Sequence, residues 1–176
     1  IAIGKDVPKN IIDLDLGVKR NIKLLAEAKN VKTNELTACI LKRPRHDSII
    51  KSLKELGVNI NFITDGDISG AISVAYPSKK IDIYLGIGGA PEGVLAAAAL
   101  KCLGCQMQSR LYFQNIDEKN RAIKLGVKDL DKKYNIEDMV RGDVIFCATG
   151  VTDGDFVKGI KIFKDFYDSE TLVLHK

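Results

Sequence analysis

Apolar positions along the chain fall into two rhythms, one at helical spacing and one in short continuous runs. Val18, Ile22 and Leu25 recur every three to four residues, which predicts a helix to about Asn30. Thr37 to Leu41 is a short apolar run and reads as a strand. Asp47 stands where it can cap a second helix, whose inner face is Ile50, Leu53 and Leu56 and which Gly57 ends. Val58 to Ile63 reads as the next strand, and Asp67 can cap a helix through Tyr76 that Pro77 stops. A third strand, Ile81 to Leu85, runs into Gly86-Ile87-Gly88-Gly89-Ala90-Pro91-Glu92-Gly93-Val94, and an Ala-rich apolar segment to Leu103 leaves it as a buried helix. Pro91 suits the first helical position, and Glu92 falls in the first turn, where the helix dipole favours a carboxylate. Three successive strand–loop–helix units predict an α/β layer, a sheet with helices on both faces, with these strands parallel and adjacent.

The flanks are patterned more weakly. In residues 1–16, Ile11, Ile12, Leu14 and Leu16 alternate with Asp13 and Asp15, which reads as an edge strand. Gln106 to Phe113 reads as a strand and Ile116 to Gly126 as a charged amphipathic helix. Asp143 to Ala148 carries the run Val144-Ile145-Phe146-Cys147 and enters the polar, glycine-rich Thr149-Gly150-Val151-Thr152-Asp153-Gly154-Asp155. Val157 to Phe163 and Thr171 to Leu174 read as a closing antiparallel pair. No repeat, linker or low-complexity segment divides the chain, so residues 1–176 are expected to form one domain. The first residue, Ile1, stands inside patterned sequence, so a piece of a longer chain is expected.

Composition narrows the classes. The chain has 176 residues, 45% hydrophobic and 28% charged, ordinary for a globular domain with a real core. Lysines are spread along a chain of net charge +4 with few aromatics and no Trp, so nothing supports nucleic-acid binding. The longest apolar run is too short to cross a bilayer, and no signal peptide is read. Cys39 and Cys147 lie in strand-like runs and read as small core residues; Cys102 and Cys105 form a lone pair without two further ligands at zinc spacing. Free thiols and a reducing, cytoplasmic location are the expectation.

Chemistry enters with the turns. In open parallel sheets ligands bind beyond the carboxyl ends of the strands. Each of the three turns that follow a predicted strand carries ligand-competent groups: Arg43 and Arg45, then Asp65 and Asp67, then Gly89 and Glu92. The plainer readings are two solvated arginines, a turn with an N-cap, and a tight turn with a capping Glu. Glycine turns at helix starts attract anions, and a carboxylate beside one suggests a cation between them. Three such turns at one edge favour a site where a metal and a phosphorylated substrate meet.

The motifs Lys42-Arg43-Pro44-Arg45-His46-Asp47, Asp65-Gly66-Asp67, Gly86-Ile87-Gly88-Gly89-Ala90-Pro91-Glu92-Gly93 and Ala148-Thr149-Gly150-Val151-Thr152-Asp153-Gly154 follow in this order. Together they resemble class II fructose-1,6-bisphosphatase of the glycerol-operon type, across nearly the whole chain and along the second half of that enzyme. The resemblance implies the lithium-sensitive, metal-dependent sugar-phosphatase fold, of which this would be the C-terminal domain. It implies hydrolysis of the 1-phosphate of fructose 1,6-bisphosphate in gluconeogenesis, with sedoheptulose 1,7-bisphosphate as an alternative substrate. It further implies Mn²⁺ or Mg²⁺ held by Glu92, and substrate contacts from Arg43, Pro44, Arg45, Asp65, Gly66, Asp67 and Gly89. A homo-oligomeric full-length enzyme is expected. Arg43 stands where many members carry Lys, which keeps the charge and changes its geometry. The family's other metal carboxylates belong to an upstream half with no counterpart in this chain, so no catalytic residue is assigned and the fragment alone is expected to be inactive. The competing classes are a non-catalytic sugar-phosphate-binding module and a purely structural domain.

Overall fold

The computed structural model describes residues 1–176. In chain order it contains β1 (Ala2–Ile3), α1 (Gly17–Lys29), β2 (Thr37–Leu41), α2 (Asp47–Glu55), β3 (Asn59–Ile63), α3 (Asp67–Ile72), β4 (Ile83–Tyr84) and α4 (Ala90–Leu103). These are followed by β5 (Gln106–Arg110), α5 (Ile116–Lys124), β6 (Lys133–Asn135), α6 (Ile136–Met139), β7 (Ile145–Thr149), β8 (Lys161–Ile162), β9 (Tyr167–Asp168) and β10 (Thr171–His175).

Six strands form the main sheet in the order β3-β2-β4-β1-β5-β6. β2 runs parallel to both β3 and β4, so the three early strands are parallel and adjacent as their pattern predicts. The ladder of β4 spans two residues, but Asp82 N–H to Thr37 O and Leu85 N–H to Cys39 O extend the pairing on either side. β1 lies antiparallel between β4 and β5, with Ala2 opposite both Tyr84 and Met107. Its two residues are wholly buried. A two-residue strand leaves no period to read, which is why the pattern placed nothing there.

Alternation along the strands sends side chains to two layers. Ile3, Ala38, Ile40 and Ile83 pack with Ile22, Leu25 and Leu53 of α1 and α2. Ala2 and Cys39 pack with Ala71 of α3 and with Ala96, Ala97 and Leu100 of α4. Helices therefore cover both faces. α4, apolar on all sides, touches the sheet on one side and β7 and β10 on another. Its first turns remain open, with Val94 and Leu95 exposed, so it is not buried throughout.

Several expectations are corrected. Residues 11–16 are no edge strand: Leu14–Leu16 is a 3₁₀ turn, because the Asp13 carboxylate accepts from Asp15 N–H and caps it. Asp13 and Asp15 also clasp the Lys133 ammonium at 2.7 Å, and Asp15 pairs with Arg110. Lys133 above all holds both carboxyls below their usual range. Asp47 is the first residue of α2 and not its cap, because a 3₁₀ turn over Pro44–His46 feeds straight into the helix. Asp67 does not cap α3 either: Gly66 enters that helix in the left-handed region at φ 85°, and the carboxylate turns elsewhere. α3 ends at Ile72, and the turn Ser73–Ala75 carries the chain on towards Pro77. Pro91 is the second helical residue, after Ala90. β5 stops at Arg110, short of Phe113, and the apolar positions Ile116 and Ile123 of α5 stay exposed.

The closing strands pair differently from expectation. β10 pairs antiparallel with β7 over five residues, Thr171 opposite Thr149 to His175 opposite Ile145. β8 pairs with β9 in a separate hairpin, where Phe163 and Phe166 stack at 4.4 Å. Cys147 is exposed, because the β7–β10 ribbon covers only one face: Phe146, Leu172 and Leu174 lie against Ile72, Ala99 and Leu103. Cys39 is buried as expected. The apolar pattern marks neither Lys133–Asn135 nor α6, because the strand is short and the helix has one buried residue, Ile136.

Candidate functional site at the carboxyl edge of the parallel strands

The turns after β2, β3 and β4 are bonded to one another. Arg43, half-buried, donates from its guanidinium to Thr64 O at 2.6 Å and to Lys42 O at 3.1 Å, which ties the turn after β2 to the turn after β3. Arg45, exposed, donates from Nε to Ile87 O at 2.7 Å, which ties it to the glycine turn after β4. Pro44 opens the 3₁₀ turn that sets the two arginines on either side. Each guanidinium keeps donors beyond these bonds, since the group carries five.

Asp65 accepts from Gly66 N–H at 2.8 Å and is exposed. Asp67 is half-buried and directed inward: its Oδ1 accepts from the Tyr84 hydroxyl at 2.5 Å. Burial, and then Asp67 beside it, pushes the Tyr84 phenol well above its ordinary range. The Tyr84 ring fills a slot between two glycines, because a Cβ on Gly70 would stand 2.8 Å from the ring and one on Gly86 would stand 3.0 Å from the hydroxyl. Sequence reading missed Tyr84. The signal was available as an aromatic at the end of a strand between two glycine-bearing segments.

Two carboxylates approach the same point over Gly88. A Cβ there would lie 2.6 Å from Asp67 Oδ2 and 3.7 Å from Glu92 Oε2, so a side chain at this position would displace the Asp67 carboxylate. Glu92 is exposed, and its Oε2 also accepts from Gly89 N–H at 3.1 Å, half of a capping box. The plain reading of Glu92 as a capping residue thus describes one of its oxygens and leaves the other open. Oxygen donors of this kind suit hard divalent cations. No group of three or more His, Cys, Asp or Glu side chains gathers anywhere in the chain, so these residues alone do not complete a cation's coordination.

His46 joins the same edge and is completely buried. Its Nε2 accepts from Ile87 N–H at 2.9 Å, so Nδ1 carries the proton, and Nδ1 lies 2.8 Å from Leu41 O. No hydrogen bond ties the Ala148–Gly154 turn to this edge: Gly150 N–H donates to Glu170 O and Gly154 N–H to Val157 O. The loop after it is anchored where Phe156 packs on Tyr76 and Lys79 donates to Asp155 O, on the side from which the chain enters β4. No helix is long and apolar enough to cross a membrane.

The family described as bacterial fructose-1,6-bisphosphatase, glpX-encoded, matches residues 1–176. A protein of a Synechococcus strain named D-fructose 1,6-bisphosphatase class 2/sedoheptulose 1,7-bisphosphatase is 37% identical over 179 residues, covering 94% of this chain and 52% of that protein. A Haemophilus influenzae protein named fructose-1,6-bisphosphatase class 2 is 38% identical over 188 residues, covering 99% of this chain and 56% of its own length. The chain spans about half the length of the curated relatives it matches.

Proposed function

The chain belongs to the family of bacterial, glpX-encoded fructose-1,6-bisphosphatases, and from that membership we propose that it is the substrate-holding second half of a metal-dependent sugar bisphosphatase. The complete protein hydrolyses the 1-phosphate of fructose 1,6-bisphosphate to fructose 6-phosphate and phosphate, with sedoheptulose 1,7-bisphosphate as a second substrate. The observation that carries this reading is the joining of the three turns: Arg45 to Ile87, Arg43 to Thr64, and Asp67 and Glu92 to either side of Gly88.

Each residue has a part that follows from its chemistry. Arg43 and Arg45 offer free N–H donors in a planar fork and hold the phosphate that is not cleaved. Asp65 and the free oxygen of Asp67 accept from sugar hydroxyls. Gly66 and Gly89 let backbone approach the sugar without a side chain between them. Glu92 is the carboxylate of this chain that would hold Mn²⁺ or Mg²⁺; the remaining ligands come from outside these residues. When bound, such a cation neutralises charge on the transferring phosphoryl and activates water.

Ligand count sets the expected behaviour of residues 1–176 alone. With one or two carboxylates the cation stays mobile and hydrated, and positioning, the main source of rate in phosphoryl transfer, is lost. The fragment therefore releases essentially no phosphate from fructose 1,6-bisphosphate with saturating Mn²⁺, yet binds fructose 6-phosphate weakly in calorimetry. Turnover near that of an intact bisphosphatase would place the metal site elsewhere. No binding at millimolar ligand would leave a structural domain. In the complete enzyme Glu92→Gln largely abolishes turnover with little change in melting temperature, since Glu92 is exposed; full activity at every Mn²⁺ concentration would refute its role.

A further inference from the structure

We propose that His46 is a positioning residue that locks the glycine turn to the basic turn, and that sugar-phosphate affinity depends on its bond to Ile87. The proposal rests on the reading of this edge as a sugar-phosphate site, and it goes beyond that reading in naming what shapes the site. Ile87 is gripped at both backbone groups by neighbours in the Pro44–His46 turn: its N–H by His46 Nε2 at 2.9 Å and its carbonyl by Arg45 Nε at 2.7 Å. The carbonyl lies 3.3 Å from His46 Nε2 as well, but that nitrogen holds a lone pair and cannot serve it, so Arg45 does. His46 is itself fixed from behind by Leu41 O, the last carbonyl of β2.

Two consequences follow. The glycine turn is exposed at Gly86, Gly88 and Gly89 and is short of side chains that could shape it, so its place is set by Ile87. Arg45 is aimed by the same residue, since its Nε is committed to Ile87 O and only its terminal nitrogens remain for an anion. Loss of the His46 bond lets Ile87 turn, which displaces Arg45 on one side and Gly89 with Glu92 on the other. Affinity then falls without any of those three residues being substituted.

Two substitutions separate this from a merely structural role. In His46→Gln the amide oxygen reaches about as far as Nε2 and still accepts from Ile87 N–H. In His46→Asn the shorter amide serves Leu41 O and cannot reach Ile87. Both leave a gap beside a buried backbone and lower the melting temperature. The expected result is that H46N weakens fructose 6-phosphate binding about five- to tenfold, the worth of one buried hydrogen bond, while H46Q binds nearly as wild type. Hydrogen exchange supplies a readout that needs no ligand: the Ile87 amide is protected in wild type and H46Q and exchanges freely in H46N. Nitrogen-15 spectra supply another, because the chain has only His46 and His175, and His46 shows protonated Nδ1 with unprotonated Nε2 at neutral pH. Equal affinity loss in both variants, an unprotected Ile87 amide in wild type, or the opposite tautomer would overturn the proposal. A wild-type chain that binds no sugar phosphate but shows the protected amide and the stated tautomer would defeat the functional reading and the affinity claim, and leave the clasp standing.

Discussion

The sheet body and the C-terminal ribbon both present glycine-rich turns after apolar strands, and they differ in what holds those turns. After β2, β3 and β4 the turns are bonded to one another through Arg43, Arg45, His46 and Tyr84, and the strands beneath are covered by helices on both faces. The ribbon of β7 and β10 rests on α4 by one face, while Ile145, Cys147 and Val173 look outward from the other. A two-stranded ribbon is marginal by itself, so its order comes from Phe146, Leu172 and Leu174 against α4. A strong sequence motif therefore marks a turn, and says little about which neighbours hold it. The Ala148–Gly154 turn is as recognisable as the glycine turn after β4, yet its loop is tethered at Tyr76 and Lys79.

The comparison can be broken most directly by removing volume from the body. Ile83 is wholly buried at the centre of the sheet, so Ile83→Ala should cost about 2–5 kcal/mol in urea or thermal unfolding. A loss no greater than that of a surface change would mean that the body is no better packed than the ribbon.

This contrast also explains what the sequence made legible. The helical spacing of Val18, Ile22 and Leu25 and the runs at 37–41 and 58–63 are local signals, and the elements they predict form, the last of them one residue shorter, at Asn59–Ile63. Pairing partners are not local. The pattern pairs Thr171–Leu174 with 157–163, its neighbour in sequence, whereas the strand pairs with the more distant β7. Cys147 sits in an apolar run that is buried at Phe146 and bare one residue later, which only the position of α4 decides. At the candidate site the residue types were visible in the turns, while the grip of His46 and Tyr84 depends on neighbours far along the chain.

A smaller effect sharpens the comparison by pH. Burial raises the Cys39 thiol from 9.0 to about 11 and the Tyr84 phenol well above its usual range, and both belong to the body. In each case the folded state holds its proton more tightly than the unfolded state. Their contribution is complete below the ordinary values and is lost as pH rises through the raised ones. Urea midpoints should therefore fall as pH climbs above about 9, less steeply in Tyr84→Phe. Over the same range Cys147 should react with a thiol reagent in the native chain while Cys39 and Cys105 do so only on unfolding, since Cys147 is exposed and the other two are buried. Rapid reaction of all three would mean that the body opens as readily as the ribbon.

The smallest effect is expected from the ribbon's outer face. Val173 is 56% exposed, so Val173→Ala should change stability by no more than about 0.5 kcal/mol. A loss as large as that of Ile83→Ala would show that this face is covered in solution.

The insertion of β1 between β4 and β5 fixes an order of assembly. Ala2 pairs with Tyr84 and with Met107, so the seam of the sheet joins positions remote in sequence and closes only after both partners are in place. During synthesis Ala2 and Ile3 emerge well before β5 and wait for it. Until then β3-β2-β4 and β5-β6 are separate pieces, each with an open edge facing the gap. Closure over such long loops is slow, and edges left waiting invite pairing with other chains. Ala2 and Ile3 thus act as the late fastener of the whole sheet, and conditions that delay their docking expose the molecule to aggregation at its centre.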